Sequence, residues 1–305
     1  MKKGNWVVIG AAAAVALVGA LWFYNMVQLP PDGAPEKESK LYTNPQAAEI
    51  KGYDGQVMEP ALSADGKYIF FNNENSAKLI KLYYAQRTGK LSFKFMGELK
   101  GANDGQLSAA PTLDSKGRIY FTTDRVYPDT FQSTFAANFN GKGVTEPKPV
   151  EGDITLKAPG IINMDVGVSP DGRALYVSRA RFAVVGSMPQ EADMVIARRD
   201  GNEFVVDTES ADLLKNVNTA ALEYAPAVTS DGKELYFTRA SGKENLRIMV
   251  ATRASAKEPF GIPQALTALE GFVEAPTLSA DRKEMFFHKR VDGKFQLFRA
   301  ERSGK

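Results

Sequence analysis

Short apolar runs separated by Asp/Gly turns recur along most of this chain. The clearest is "EPALSADGKYIFF" at 59–71, and four stretches restate it: "APTLDSKGRIYF" (110–121), "DVGVSPDGRALYV" (165–177), "APAVTSDGKELYF" (225–237) and "APTLSADRKEMFF" (275–287). Each copy reads as strand, tight turn, strand. Proline at a strand start removes no interior ladder bond. Asp-Gly at 65–66, 171–172 and 231–232 supplies the positive φ values of a two-residue hairpin. The fifth copy has Asp281-Arg282 there and the second has "DSKG", so those turns are expected to differ in detail.

Within the phrase, one position is always aliphatic (Leu62, Leu113, Val168, Val228, Leu278) and the one before it always small (Ala61, Thr112, Gly167, Ala227, Thr277). Alternation sends these to opposite faces of a strand. The pattern suits sheets that converge on an axis with little room between them. The second strands end in large pairs such as Phe70-Phe71 and Tyr236-Phe237, so both of their faces are expected to be buried. A third strand is predicted within 78–86, 130–139, 193–200, 245–253 and 294–302, and a weaker fourth within 93–101, 146–152 and 263–271. Four antiparallel strands per unit, repeated radially, predict an all-β, five-bladed β-propeller. The fifth unit runs out after three strands. Residues 45–60, "PQAAEIKGYDGQVMEP", match the ends of other units at 97–111 and 263–276. Residues 45–52 are therefore expected to supply the missing strand and close the ring with both chain ends, leaving no free edge between first and last blades.

The same residues carry a resemblance. "SADGKYIFF", "SPDGRALYV" and "SDGKELYF" resemble the WD40-like repeats called PD40, found in TolB-like propellers, over residues 45–305. The resemblance implies the fold. It implies little about activity, since such repeats occur in binding scaffolds, peptidase side domains and sugar-active enzymes. TolB-like propellers commonly have six blades and a further N-terminal domain, whereas five units are counted here.

The N-terminus has a different pattern. Basic "MKKGN" precedes "WVVIGAAAAVALVGALWFY" (6–24), an uncharged run of about 28 Å if helical, close to the hydrocarbon thickness of a bilayer. Trp6 at one end and Trp22, Phe23 and Tyr24 at the other suit the interfaces, and Lys2 and Lys3 place the N-terminus in the cytoplasm. The expected organisation is a signal anchor (1–27), a Pro-containing tether (28–44) and a propeller (45–305). The protein would be a single-pass protein of a bacterial inner membrane, with its propeller in the periplasm. The alternative is secretion to the periplasm after cleavage at "VGA". The 305 residues carry a net charge of +2, which gives no reason to expect nucleic acid. The absence of cysteine excludes disulfides, thiolate chemistry, cysteine zinc sites and a lipoprotein anchor.

Topology gathers the candidate chemistry at one end of the ring. Glu59, Asp165, Glu223 and Glu274 lie at the starts of inner strands. Asn72, Asn73, Thr123, Asp124, Arg125, Arg179, Arg181, Arg239, His288, Lys289 and Arg290 follow the second strands. One reading is a polar funnel for an anionic or zwitterionic ligand, a peptide terminus, or a cation held by the acids. The other is that each acid pairs with a neighbouring arginine and holds adjacent blades in register. His288 is the sole histidine, no G-x-S-x-G elbow accompanies it, and its position is filled elsewhere by Asn72, Ser178 and Thr238. A catalytic triad is not expected, and neither a cofactor nor a metal is assigned. The 179–193 loop, with Phe182, Val184, Val185 and Met188, either offers an apolar contact patch on the mouth side, flanked by 151–165, or folds back over its own blade.

These features lead to the expectation of a non-enzymatic protein-binding or scaffolding module, an accessory subunit of an envelope or membrane complex. Its contacts with an envelope or membrane protein would run through Arg125, Arg179, Arg181, Phe182, Arg239 and Arg290. The alternative is a carbohydrate-active hydrolase or lyase using two carboxylates among Glu59, Asp165, Glu223 and Glu274.

Overall fold

Each repeated phrase folds as an antiparallel hairpin, and the strands that follow extend it outward. A computed structural model describes residues 37–75, 78–105, 107–127, 129–183, 189–241 and 245–304; the expected anchor lies outside them. The first unit comprises β4 (Met58–Leu62), β5 (Tyr68–Asn72), β6 (Leu82–Arg87) and β7 (Ser92–Glu98). The second comprises β8 (Ser108–Leu113), β9 (Arg118–Thr123), β10 (Thr134–Phe139) and β11 (Val144–Pro149). The third comprises β12 (Ile161–Val168), β13 (Ala174–Phe182), β14 (Pro189–Asp200) and β15 (Glu203–Val206). After a short helix α1 (Ser210–Leu213), the fourth comprises β16 (Leu222–Val228), β17 (Glu234–Ala240), β18 (Leu246–Thr252) and β19 (Gln264–Leu266). The last has β20 (Val273–Leu278), β21 (Glu284–Val291) and β22 (Lys294–Arg302). Within every unit the strands pair in chain order and antiparallel.

The turns behave as their residues require. Gly66, Gly172 and Gly232 take φ of 69°, 71° and 66°, and Arg282 takes the same region at 60°. The Asp before each makes the turn tolerable: Asp65, Asp171, Asp231 and Asp281 each accept the backbone N–H two residues on.

The inner strands β4, β8, β12, β16 and β20 contact one another in cyclic order, β20 returning to β4. Apolar layers fill the space between successive units. Phe70, Leu82 and Tyr84 pack on Ile119, Phe121 and Phe135 between the first and second. Ile69, Phe71 and Phe93 pack on Phe286 and Leu297 between the first and last. Burial of one such aromatic contributes about 1.5–3 kcal/mol relative to exposure. Small residues at the hub are a spatial necessity. At Gly167 an added Cβ would come within 2.1 Å of the Pro226 carbonyl oxygen.

The closing strand differs from the sequence expectation. Three segments form at the N-terminal side: β1 (Lys37–Ser39), β2 (Tyr42–Ala47) and β3 (Glu49–Lys51). β2 pairs antiparallel with β22 (Tyr42 opposite Arg302, Ala47 opposite Phe298) and supplies the fourth strand of the last unit. Residues 49–51, assigned to the same strand from sequence, instead run parallel to β7 of the first unit. β1, inside the stretch read as tether, runs parallel to β19 of the fourth unit. One short segment thus straps three consecutive units. Among the described residues no helix is long and apolar enough to cross a membrane.

Candidate functional site

Every inner strand carries a β-bulge near its start, where the pairing register slips. At four of the five bulges the residue before proline has left-handed backbone: Glu59 (φ 49°), Ala110 (50°), Ala225 (52°) and Ala275 (54°). A non-glycine residue in this region costs energy and is held there only by its surroundings. The bulge turns this residue toward the axis. Glu59, Ala110, Asp165, Ala225 and Ala275 line one end of a channel of ≈ 40 Å³, whose walls include Pro60, Pro111, Val166, Pro226 and Pro276. That volume holds a few waters at about 10–15 Å³ each and no sugar-sized ligand. A ligand larger than water must therefore sit above the channel, on the mouth.

A ring of hydrogen bonds fixes the bulges. His288 Nδ1 accepts the Glu59 amide N–H at 3.1 Å, Asn72 Oδ1 accepts that of Ala110 at 3.1 Å, and Thr238 Oγ1 accepts that of Ala275 at 3.0 Å. The Asp165 carboxylate accepts the Ala225 amide. Ser178, at the position equivalent to Thr238, has a buried Oγ with no partner among the described residues, its task being taken by Asp165. The sequence-based placement of His288 with Asn72 and Thr238 corresponds to a real structural equivalence. His288 links the last unit to the first.

The four acids, grouped together from sequence, occupy three different environments. Glu59 and Asp165 share the axial bulge position in the first and third units. Burial pushes Glu59 up to about 8, reinforced by the neighbouring Asp165 and Glu274 charges and opposed by His288 and an Asn75 hydrogen bond. Burial likewise raises Asp165 to about 7, against the Ala225 amide and with the charge of Glu274. Glu274 sits one position earlier on β20 and is fully buried. It takes a hydrogen bond from the Tyr224 hydroxyl and one, at 3.0 Å, from His288 Nε2. Since Nδ1 already accepts an N–H, a neutral His288 carries its proton on Nε2. Burial and that amide disfavour a second proton; the Glu274 hydrogen bond and the Glu274 and Glu59 charges favour it and carry the imidazole above its ordinary value. Glu223 lies one position earlier still, fully buried, and bonds Arg239 Nε at 2.8 Å and Thr219 Oγ1 at 2.7 Å. Burial carries it to about 7 against those partners.

The picture of a rim of acids paired with a ring of bases is therefore corrected. Of the four acids, Glu223 alone has an arginine partner among the described ion pairs. The arginines expected to reach a protein partner are mostly turned inward. Arg125 donates to the Ala102 carbonyl at 2.6 Å and lies 5.0 Å from the Phe135 ring centre. Arg179 donates to the Ile154 carbonyl at 2.8 Å, and Arg239 is buried. Arg290 stacks over Phe272 at 4.5 Å. Arg181 is exposed but bridged to Glu191 at 2.9 Å. Phe182 is part-buried beside Tyr224 and Phe295, and Val184, Val185 and Met188 of the expected patch lie outside the described residues. Sequence reasoning missed Tyr224 and Asn75, which hold Glu274 and Glu59. Tyr224 immediately follows Glu223, and only the bulge register reveals that it points at Glu274.

No protein-family model matches the chain, and no curated protein matches it. Solved structures do. A GH43_1 enzyme from Xanthomonas citri superposes with a TM-score of 0.54 at 14% identity, covering 86% of this chain and 91% of that one. The α-L-arabinofuranosidase of Podospora anserina gives 0.52 at 13%, covering 92% and 99%. TolB from Acinetobacter baumannii gives 0.44 at 14%; 82% of this chain is covered, and the match spans only 56% of TolB. The propeller fold is supported by the first two of these likenesses. The expectation that the chain is not an enzyme is corrected by them, since glycoside hydrolases recur among its neighbours.

Proposed function

We propose that this protein is a carbohydrate-active hydrolase on a five-bladed propeller, with Glu59 and Asp165 as its acid–base pair. The blade count, the closure by β2 and export through the N-terminal apolar run belong to the proposal. One observation carries it: two carboxyl groups, on the first and third units, reach the axis from equivalent bulges, and burial and the charges of neighbouring carboxylates raise both toward neutral pH. Glycosidic cleavage needs such a pair, one carboxyl to protonate the leaving oxygen and one carboxylate to deprotonate water or attack the sugar. Raised carboxyl pKa values are how an enzyme keeps an acid protonated at working pH.

Glu59, the higher of the two, is the proton donor. Asp165, ionised at lower pH, is the partner that receives a proton from water or bonds the sugar. A sugar ring rests on the mouth, because the channel admits only water. The occurrence of glycoside hydrolases among structures of like fold supports the reading without assigning a substrate.

The test is hydrolysis of a panel of 4-nitrophenyl glycosides and plant-type oligosaccharides by the full chain. Glu59→Gln and Asp165→Asn should each lower kcat/KM by about 10²–10⁴ while leaving the melting curve cooperative. Activity should fall above pH about 8, as Glu59 loses its proton. Cleavage of no glycoside, or variants as fast as the parent, would refute the assignment.

A further inference from the structure

The end of the ring opposite the acidic mouth has its own chemistry. Each inner strand starts at the mouth, so all five hairpin turns lie at the other end. Each turn exposes a basic residue: Lys67, Lys116, Arg173, Lys233 and Lys283. The side chains of Lys67, Arg173 and Lys283 are 69%, 84% and 80% accessible. The turn acids Asp65, Asp171, Asp231 and Asp281 accept turn amides, and three of them also pair with the basic residue of their own turn, Asp65 with Lys67 at 3.2 Å, Asp171 with Arg173 at 3.9 Å and Asp281 with Lys283 at 3.6 Å; such exposed pairs are weak, and the basic groups remain largely open to solvent. The outer turns at this end add exposed Lys142 and Lys257, and Lys90, which is bridged to Glu301. Ile262, the most exposed large apolar side chain among the described residues at 62%, also lies here, two residues before Gln264.

The chain's path is an independent observation. Lys37 pairs with Gln264, and β1 runs parallel to β19, which rises from the turn end toward the mouth. Lys37, the first described residue, therefore lies at the turn end. Only twelve, 25–36, separate it from the apolar run at 6–24. They reach about 40 Å at most when fully extended. Bringing the mouth to a bilayer would use about 20 Å of that reach in climbing the side of the sheet. Bringing the turn end there uses none of it.

We infer that the turn end rests on an anionic phospholipid bilayer, with Ile262 and the turn lysines at headgroup level, so that the acidic mouth faces away from the membrane. Basic side chains near an anionic surface are attracted within a Debye length of about 8 Å, and each favours the docked state by roughly fivefold. The inference does not depend on the proposed hydrolase activity. It assigns an orientation that gives a bulky polymer open access to the mouth.

The chain has no cysteine, so single introduced thiols report one place each. The full chain is reconstituted in vesicles of phosphatidylethanolamine and phosphatidylglycerol, with a fluorophore at Ala64→Cys or Ala256→Cys on the turn end, or at Leu79→Cys or Leu156→Cys on the mouth. Energy transfer to a headgroup acceptor should be several-fold greater from the turn end. It should weaken when phosphatidylglycerol is replaced by phosphatidylcholine, and when Lys67, Lys116 and Arg173 are changed to Glu. Equal transfer from both ends, greater transfer from the mouth, insensitivity to anionic lipid, or protein remaining in the aqueous phase would each overturn the inference. So would shielding of the turn end by an added soluble protein but not by lipid.

Discussion

Replacing His288 tests how the ring is closed. In His288→Ala the part-buried Glu59 amide loses its acceptor at 3.1 Å and the fully buried Glu274 Oε2 loses its donor at 3.0 Å. Each stranded polar group costs about 1–3 kcal/mol, and the space left beside Phe295 adds to this. The two losses share one side chain, so they do not simply add; about 3–5 kcal/mol in total is expected. The structure also supplies its own control. Asn72 occupies the equivalent position one unit on and accepts the Ala110 amide through Oδ1. His288→Asn should therefore keep the bond to Glu59, lose only that to Glu274, and cost less than half as much. The assay is the urea midpoint at fixed slope, joined to hydrogen exchange of the Glu59 amide, which should quicken in Ala and stay slow in Asn. An unchanged midpoint in His288→Ala, or Asn no better than Ala, would refute the latch. As the only histidine, His288 also gives one unambiguous imidazole ¹⁵N pattern, expected in its neutral form to show the proton on Nε2.

Three further outcomes follow from named contacts. Glu59 and Asp165 titrate near 8 and 7 in the fold against ordinary values of 4.5 and 3.8, so the fold favours their protonated forms. The stability they contribute is complete below the ordinary carboxylate range and is lost as pH rises through 7–8. The melting temperature should fall between pH 5 and 8, and Glu59→Gln/Asp165→Asn should flatten the curve; parallel curves would contradict the burial argument. Arg239→Met leaves Glu223 buried without its cation and should cost about 3–5 kcal/mol by denaturant titration, largely recovered by adding Glu223→Leu. Gly167→Ala drives a methyl into the Pro226 carbonyl and should cost about 1–3 kcal/mol, read as a lowered melting temperature, whereas Gly304→Ala, which meets no atom and needs no left-handed backbone, should leave it unchanged.

Much of the architecture is local and therefore legible. A turn needs residues that tolerate positive φ, and the repeated Asp-Gly states where the chain reverses. Alternation of Ala61 with Leu62, or Gly167 with Val168, states which face meets the hub. The third strands announce themselves by the same alternation. By themselves, then, the residues determined the hairpins, their order along the chain and the crowded hub.

Which acid does what was decided by packing. Glu59, Glu223 and Glu274 look alike in the chain, each within a few residues of a turn-flanking strand. A bulge of one or two residues rotates one to the axis and its neighbours into the walls, and the bulge is stabilised by side chains from the adjoining unit: His288, Asn72 and Thr238. Likewise 42–47 and 49–51 have similar strand-forming character; only the positions of the open edges of β22 and β7 direct them to different sheets. Hydrogen bonds between segments more than 200 residues apart leave no local signature, because their energy depends on which groups the closed ring brings within 3 Å.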